Sequence, residues 1–267
     1  MNIIPIFQTI YQSFFKTGDF GKGNIFIGLQ NYQKVFADKE IWQALINTFK
    51  YAIVEVPFSI VIALVLAVLL NRKMKGRSIY RTIIFLPMVA APAAVAMVWR
   101  WLFNSDYGLI NNVFHVHVNW VSNPKIAVFA VAIIGVWSII GYNMVLFLSG
   151  LQEIPRDYYE AASIDGAGRW AKIKYVTLPG IKPTIIILLL MNVGNVLNAG
   201  FEIQYLLGNG LVQDVSQTID IYVLKWGISQ GDYAIGTAAG IFKSVVSIIL
   251  IFIANRIAKH NGEEQLF

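Results

Sequence analysis

The residues of this chain best suited to chemical contact with a partner lie in one charged stretch, Glu153 to Pro183, flanked on both sides by apolar sequence. It carries Glu153, Arg156, Asp157, Glu160, Asp165, Arg169, Lys172, Lys174 and Lys182, so it must face water. Inside it stand Glu160-Ala161-Ala162, then Asp165-Gly166, and later Leu178-Pro179. The chemistry these residues suit is docking. A glutamate reaches a basic or amide partner, alanines permit close backbone approach, and Gly166 can take the left-handed turn that ends a helix. Pro155 suits a first helical position, and Tyr158, Ala161 and Ala162 recur at helical spacing. A second amphipathic run puts Trp170, Ile173 and Thr177 on one side and Lys172 and Lys174 on the other, and Leu178-Pro179 is expected to stop it.

Other candidate chemistry is sparse. No GxxxxGK(S/T) occurs, so no phosphate-cradling loop and no ATP hydrolysis are expected in this chain. His115 and His117 share a face of an extended segment but lack a nearby third ligand, and no Ser/His/Asp group assembles at membrane depth. There are no cysteines, hence no disulfides or thiolate metal sites. Neither a catalytic residue nor a metal site is assigned. Asn192, Asn195 and Asn198 form a polar strip about 120° wide on a helix. Such a strip suits sugar hydroxyls, and equally suits hydrogen bonding between helices. Gly135, Ser138, Gly141 and Tyr142 share another face, read mainly as packing, with Tyr142 kept as a path candidate. Gly236 and Gly240 form a GxxxG, also read as packing. Glu55 and Lys243 are the two charges well inside spans, at matched depth; either they pair and hold their spans together, or Lys243 snorkels outward and Glu55 meets water at the outer mouth.

These residues must be positioned by membrane helices. The 267-residue chain is 57% hydrophobic and only 13% charged, with mean hydropathy +0.60, which excludes a soluble domain. Its net charge of +6 does not signal nucleic acid, because the basic residues flank apolar runs. Spans are expected at 49–70, 82–103, 126–148, 184–200 and 235–257, and residues 1–15 read as the end of a truncated first span. A short surface helix is expected from Asn31 to Leu45. Arg72, Lys73, Lys75, Arg77 and Arg81, the basic residues of 156–182, and Arg256 and Lys259 all fall on one side, the cytoplasm. Lys16, Lys22, Lys34 and Lys39 fall outside by parity, against that rule, and are balanced by Asp19, Asp38 and Glu40. Trp42, Trp99, Trp101 and Trp120 mark the outer interface, with Arg100 as an anchor. Val215, Ile219, Tyr222, Val223 and Trp226 form one face of an amphipathic helix on the outer surface, opposite Gln217 and Asp220.

The pattern Glu160-Ala161-Ala162, three residues, Gly166, then Leu178-Pro179 resembles the EAA signature of binding-protein-dependent ABC importer permeases. Val176 stands where that family more often has isoleucine. Ile84-Phe85-Leu86-Pro87, Asn198 to Glu202 and the Gly-Glu tail resemble its carbohydrate-uptake members more loosely. The resemblance implies an all-α polytopic bundle of about six spans, a single permease domain over 1–267 with a core at 49–257 and a coupling loop at 150–183. It implies that Tyr158, Glu160, Ala161, Ala162, Asp165, Gly166, Leu178 and Pro179 meet the ATPase. It further implies a second homologous permease subunit, two ABC ATPase subunits holding ATP and Mg, an extracytoplasmic solute-binding protein and the bacterial cytoplasmic membrane. The alternatives are an ABC permease for a solute other than sugar, or an ion-coupled secondary transporter, which would need intramembrane ionisable groups and internal repeats.

Overall fold

The computed structural model describes residues 3–16, 25–72, 74–198, 201–208 and 213–260. Helix α1 (Ile3–Gln12) is followed by a two-residue antiparallel ladder, β1 (Phe15–Lys16) on β2 (Ile25–Phe26), then α2 (Gln30–Ala37) and α3 (Lys39–Leu70). Next come α4 (Arg77–Val89), α5 (Pro92–Leu102), α6 (Leu109–Phe114) and α7 (Ala127–Glu153). The water-facing segment is α8 (Arg156–Ile164), α9 (Arg169–Lys172), a π turn at Ile173–Thr177 and α10 (Leu178–Gly180). Helix α11 (Lys182–Asn195) and a 3-10 turn to Asn198 lead to α12 (Phe201–Leu207), α13 (Gln213–Ser216) and α14 (Ile219–Leu224). A second π turn, Lys225–Ser229, precedes α15 (Tyr233–His260).

Helices α3, α7 and α15 have 32, 27 and 28 residues and are apolar enough to cross a bilayer. At ~1.5 Å per residue each exceeds a ~30 Å hydrocarbon layer. The expected spans 49–70, 126–148 and 235–257 are therefore real but longer. The expected surface helix 31–45 is corrected: it breaks at Asp38, and α3 starts ten residues before Phe49. Asp38 is extended and its Oδ1 accepts the Glu40 N–H at 2.9 Å, so a side-chain cap restarts the helix there.

The span expected at 82–103 is two helices, α4 and α5, bent by 100°. Ala90 is extended (φ −69°, ψ 142°), and Ala91 precedes Pro92, whose ring disfavours helix at the residue before it. Pro87, by contrast, is carried inside α4. The expected stop at Leu178-Pro179 is also corrected. Helix continues to Gly180, and the 58° bend falls between the α9–α10 run and the α11 run. Proline cannot donate to the carbonyl of Tyr175, and the π turn just before it opens the ladder where that bond would fall.

The chain divides into two compact units. In residues 1–53, 92–132 and 195–249, Val35, Ile41, Ala44, Ile219, Tyr222, Ile235, Ala238 and Ala239 form a core, and α5 packs on α12. In residues 54–91, 133–194 and 250–267, a second core joins Ile60, Ala63 and Ala67 of α3 to Met144, Phe147 and Leu151 of α7 and Leu188 of α11. Glycines set the spacing within this second unit. A Cβ on Gly141 would lie 2.4 Å from the Ile84 carbonyl oxygen, and one on Gly135 would lie 2.6 Å from Glu55 Oε2. Both thus serve packing, as the sequence suggests. Gly236 packs on the Gly227 backbone, whereas a Cβ on Gly240 would meet open space, so only half of that GxxxG is a contact.

The expected Glu55–Lys243 pair is not formed. Lys243 Nζ donates to Asp220 Oδ1 at 2.5 Å, and Glu55 lies against Gly135. Matching charges by depth considered spans alone, yet α14 brings an acid from outside the spans. The two side chains are 14% and 25% exposed. Removing one partner leaves a poorly hydrated charge, so Lys243→Met or Asp220→Asn should each cost about 1–3 kcal/mol, less than a fully buried pair. Thermal unfolding of the purified protein reads this, and the exchanged double variant should regain part of the loss. If the exchange melts no higher than the worse single variant, the pair contributes nothing.

Candidate functional site

The charged segment folds as a helical hairpin. Pro155 is extended just before α8, which has no buried residue and so stands out into water. Its C-terminus closes with both bonds of a Schellman turn: Ala167 N–H to the Ala162 carbonyl at 2.8 Å and Gly166 N–H to the Ser163 carbonyl at 3.1 Å. Gly166 has φ +77°, as its place in the sequence demands. The second limb is tied back by the Tyr159 hydroxyl on Thr177 Oγ1 (3.1 Å) and by Lys172 Nζ on Ser163 Oγ (2.6 Å). The hairpin is therefore preorganised without a partner.

Tyr158, Ala161, Ala162 and Asp165, spaced as one helical face, line a cleft of about 640 Å³ together with Glu153, Tyr175 and Pro179. Of the expected docking residues, Glu160, Gly166 and Leu178 stay outside this cleft; all three are exposed. Two exposed aromatic side chains line it, Tyr158 at 62% and Tyr175 at 69%, and elsewhere on the hairpin Trp170 is 82% and Ile164 87% exposed. Covering each would yield roughly 1.5–3 kcal/mol. Trp170 was expected to share a face with Ile173 and Thr177. Only Thr177 is buried, because the π turn adds a residue and rotates the register. Ile164 and Tyr175 were not singled out by the sequence; a large apolar side chain in an otherwise charged, water-facing segment is the signal that could have found them.

In the segment expected on the outer surface, Ile219, Tyr222, Val223 and Trp226 do belong to one core-facing surface, while Val215 lies in the separate helix α13. Residues of α3 that sequence reasoning missed hold this segment. Asn47 Nδ2 donates to the Gln217 carbonyl (3.2 Å), and Thr48 Oγ1 accepts the Ile219 N–H (3.2 Å). The Tyr222 hydroxyl donates to Asp38 at 2.7 Å, and Lys225 pairs with Glu40 at 2.7 Å. Burial, then the Asp38 bond, raise the Tyr222 pKa far above the usual phenol range, so it stays a neutral donor. Helix α14 is thus fastened to the start of α3.

The amide strip is less uniform than its spacing implies. Asn192 Nδ2 bonds the Leu188 carbonyl of its own helix at 2.8 Å, and Asn198 Nδ2 reaches Asn195 Oδ1 at 3.4 Å. Asn195 and Asn198 are exposed, and Tyr142 is half-buried. Among the described residues, no cluster of three His, Cys, Asp or Glu could hold a metal.

Apolar helices long enough to cross a bilayer and a folded, charged hairpin between two of them define a multi-pass membrane protein. Residues 59–262 match the family of binding-protein-dependent transport system inner membrane components, and the chain belongs to that family. It is 36% identical to Protein LplB of Bacillus subtilis (strain 168) over 90% of this chain and 78% of that protein. It is 33% identical to the trehalose/maltose transport system permease protein MalF of Thermococcus litoralis, over 94% and 86%. Its fold resembles a crystal structure of a bacterial ABC transporter that imports the acidic polysaccharide alginate, with TM-score 0.87 and 27% identity, covering 96% of this chain and 89% of that one. A second structure, of a bacterial alginate transporter in complex with a periplasmic protein bound to an alginate pentasaccharide, matches at TM-score 0.84 and 27% identity, covering 90% and 85%. The family expected from Glu160-Ala161-Ala162 and Gly166 is the family found.

Proposed function

We propose that this permease carries a sugar or oligosaccharide across the bacterial cytoplasmic membrane after an extracytoplasmic solute-binding protein delivers it. It pairs with a second homologous permease subunit, and two separate ABC ATPase subunits, which hold ATP and Mg, dock on the hairpin 156–180. The observation that carries this reading is the preorganised, exposed hairpin, whose Tyr158–Asp165 face lines a cleft together with the exposed Tyr175. The names of the relatives support the solute class: trehalose and maltose for one, alginate for another.

Purification from native membranes tests the assembly. An ATPase subunit and a second permease should co-purify, and proteoliposomes of that complex should take up oligosaccharide only with ATP and the binding protein. Transport by this chain alone, driven by an ion gradient, would overturn the proposal. The solute path is proposed to include Asn192, Asn195, Asn198 and Tyr142. Each Asn→Leu change removes an amide that can both donate to and accept from a sugar hydroxyl. Uptake should fall roughly tenfold for a lost hydrogen-bonding group, with little change in complex yield. Equal losses of uptake and yield would assign the amides to helix packing instead.

A further inference from the structure

A second cleft, of about 320 Å³, opens beside the hairpin between the end of α3, the end of α7 and α9. Arg72, Arg169 and Lys172 line it, with Asn71, and no carboxylate does. This contrasts with the docking cleft, which is lined by Glu153 and Asp165 and by no Lys or Arg. Among the described residues, no carboxylate pairs with any of these three cations. Lys172 spends one donor on Ser163 and keeps two. The mutually bonded hydroxyls of Tyr159 and Thr177 form part of the same wall. Val68 and Leu151, in the last turns of two membrane spans, supply an apolar side.

Three cations around one cavity repel each other, and a single anion relieves that repulsion. Two guanidinium groups and an ammonium match the several oxygens of a phosphate better than one carboxylate, because each guanidinium donates a two-pronged bond. The sidedness read from the basic residues puts this cleft at the cytoplasmic headgroup level, where basic pockets between span ends recruit acidic lipids. We propose that the cleft binds a phosphate-bearing anion, the headgroup of an acidic phospholipid of the inner leaflet, and so fastens the hairpin to the membrane surface beside the ATPase site. A soluble phosphate ester shares this chemistry, and the experiment separates the two sources.

The intact transporter is placed in nanodiscs of phosphatidylcholine, alone or with about a quarter phosphatidylglycerol, and retained lipid is counted by native mass spectrometry. The wild type should retain phosphatidylglycerol that R72Q/R169Q/K172Q releases, with apparent affinity falling at least about tenfold, since each basic residue near the surface contributes severalfold. K75Q/R77Q/K174Q removes the same charge from outside the cleft and should retain the lipid. If both triple variants lose it equally, or neither does, the cleft site is overturned. Arg169→Gln alone, an exposed change, serves if the triple variant fails to assemble, and its unchanged retention would equally overturn the site. Inorganic phosphate that binds the wild type in pure phosphatidylcholine discs, but not the cleft variant, would assign the site to a soluble phosphate instead of a lipid.

Discussion

Replacing Gly166 by valine is expected to abolish stimulation of the proposed partner ATPase and reduce uptake at least about tenfold, while the chain still inserts and spans the membrane. Gly166 has φ +77°, and a Cβ added there would meet nothing within 4 Å. The penalty is therefore purely one of backbone conformation. A β-branched residue in the left-handed region costs on the order of 1–3 kcal/mol, and the Schellman turn gives way instead. Losing that turn releases the Ala162 and Ser163 carbonyls and lets the end of α8 fray, so Ala161, Ala162 and Asp165 no longer share one rigid face. Asparagine tolerates this conformation far better. Gly166→Asn should accordingly retain most stimulation. Measured with the reconstituted complex, equal activity in the Val and Asn variants would show that the turn is not what couples the subunits.

The other large effect belongs to Gly141. A methyl group there would stand 2.4 Å from the Ile84 oxygen and 2.6 Å from the Phe85 Cα, both backbone atoms of α4. Backbone cannot rotate aside, so even Gly141→Ala must push α4 and α7 apart. Overpacking of this kind costs about 1–3 kcal/mol or more, and a low yield of monodisperse protein is expected. Gly150→Ala is a graded comparison. Its methyl would meet only the Thr184 side chain, with Oγ1 at 2.3 Å, so Gly150→Ala should be partly rescued by Thr184→Ala. Gly240→Ala meets open space and should be neutral or stabilising by roughly 0.5–1 kcal/mol, the helix preference of alanine over glycine. Size-exclusion profiles and melting temperatures of the three variants check this order, and a Gly141→Ala protein as stable as Gly240→Ala would contradict the close approach of α4 and α7.

Much of this protein is legible in the sequence because its strongest signals are local or solvent-driven. Runs of apolar residues with nowhere to satisfy a backbone except in a helix located α3, α7 and α15. Charges that cannot enter lipid marked the hairpin, and a glycine at the one place where a helix needs positive φ marked its end. The lateral partners were decided only by tertiary structure. Lys243 binds Asp220 and leaves Glu55 to Gly135, because a Coulomb pair depends on which element folds back beside which span, and spacing along the chain does not contain that. The same holds for Asn47 and Thr48, whose side chains meet a segment some 170 residues away, Gln217 and Ile219. Between these extremes lie the prolines. One at a first helical turn breaks a span, as at Pro92, whereas one within a helix is absorbed, as at Pro87, or matched by a π turn, as before Pro179. Only the fold settles which of these each proline does, because the lost hydrogen bond is made good, or not, by what packs beside it.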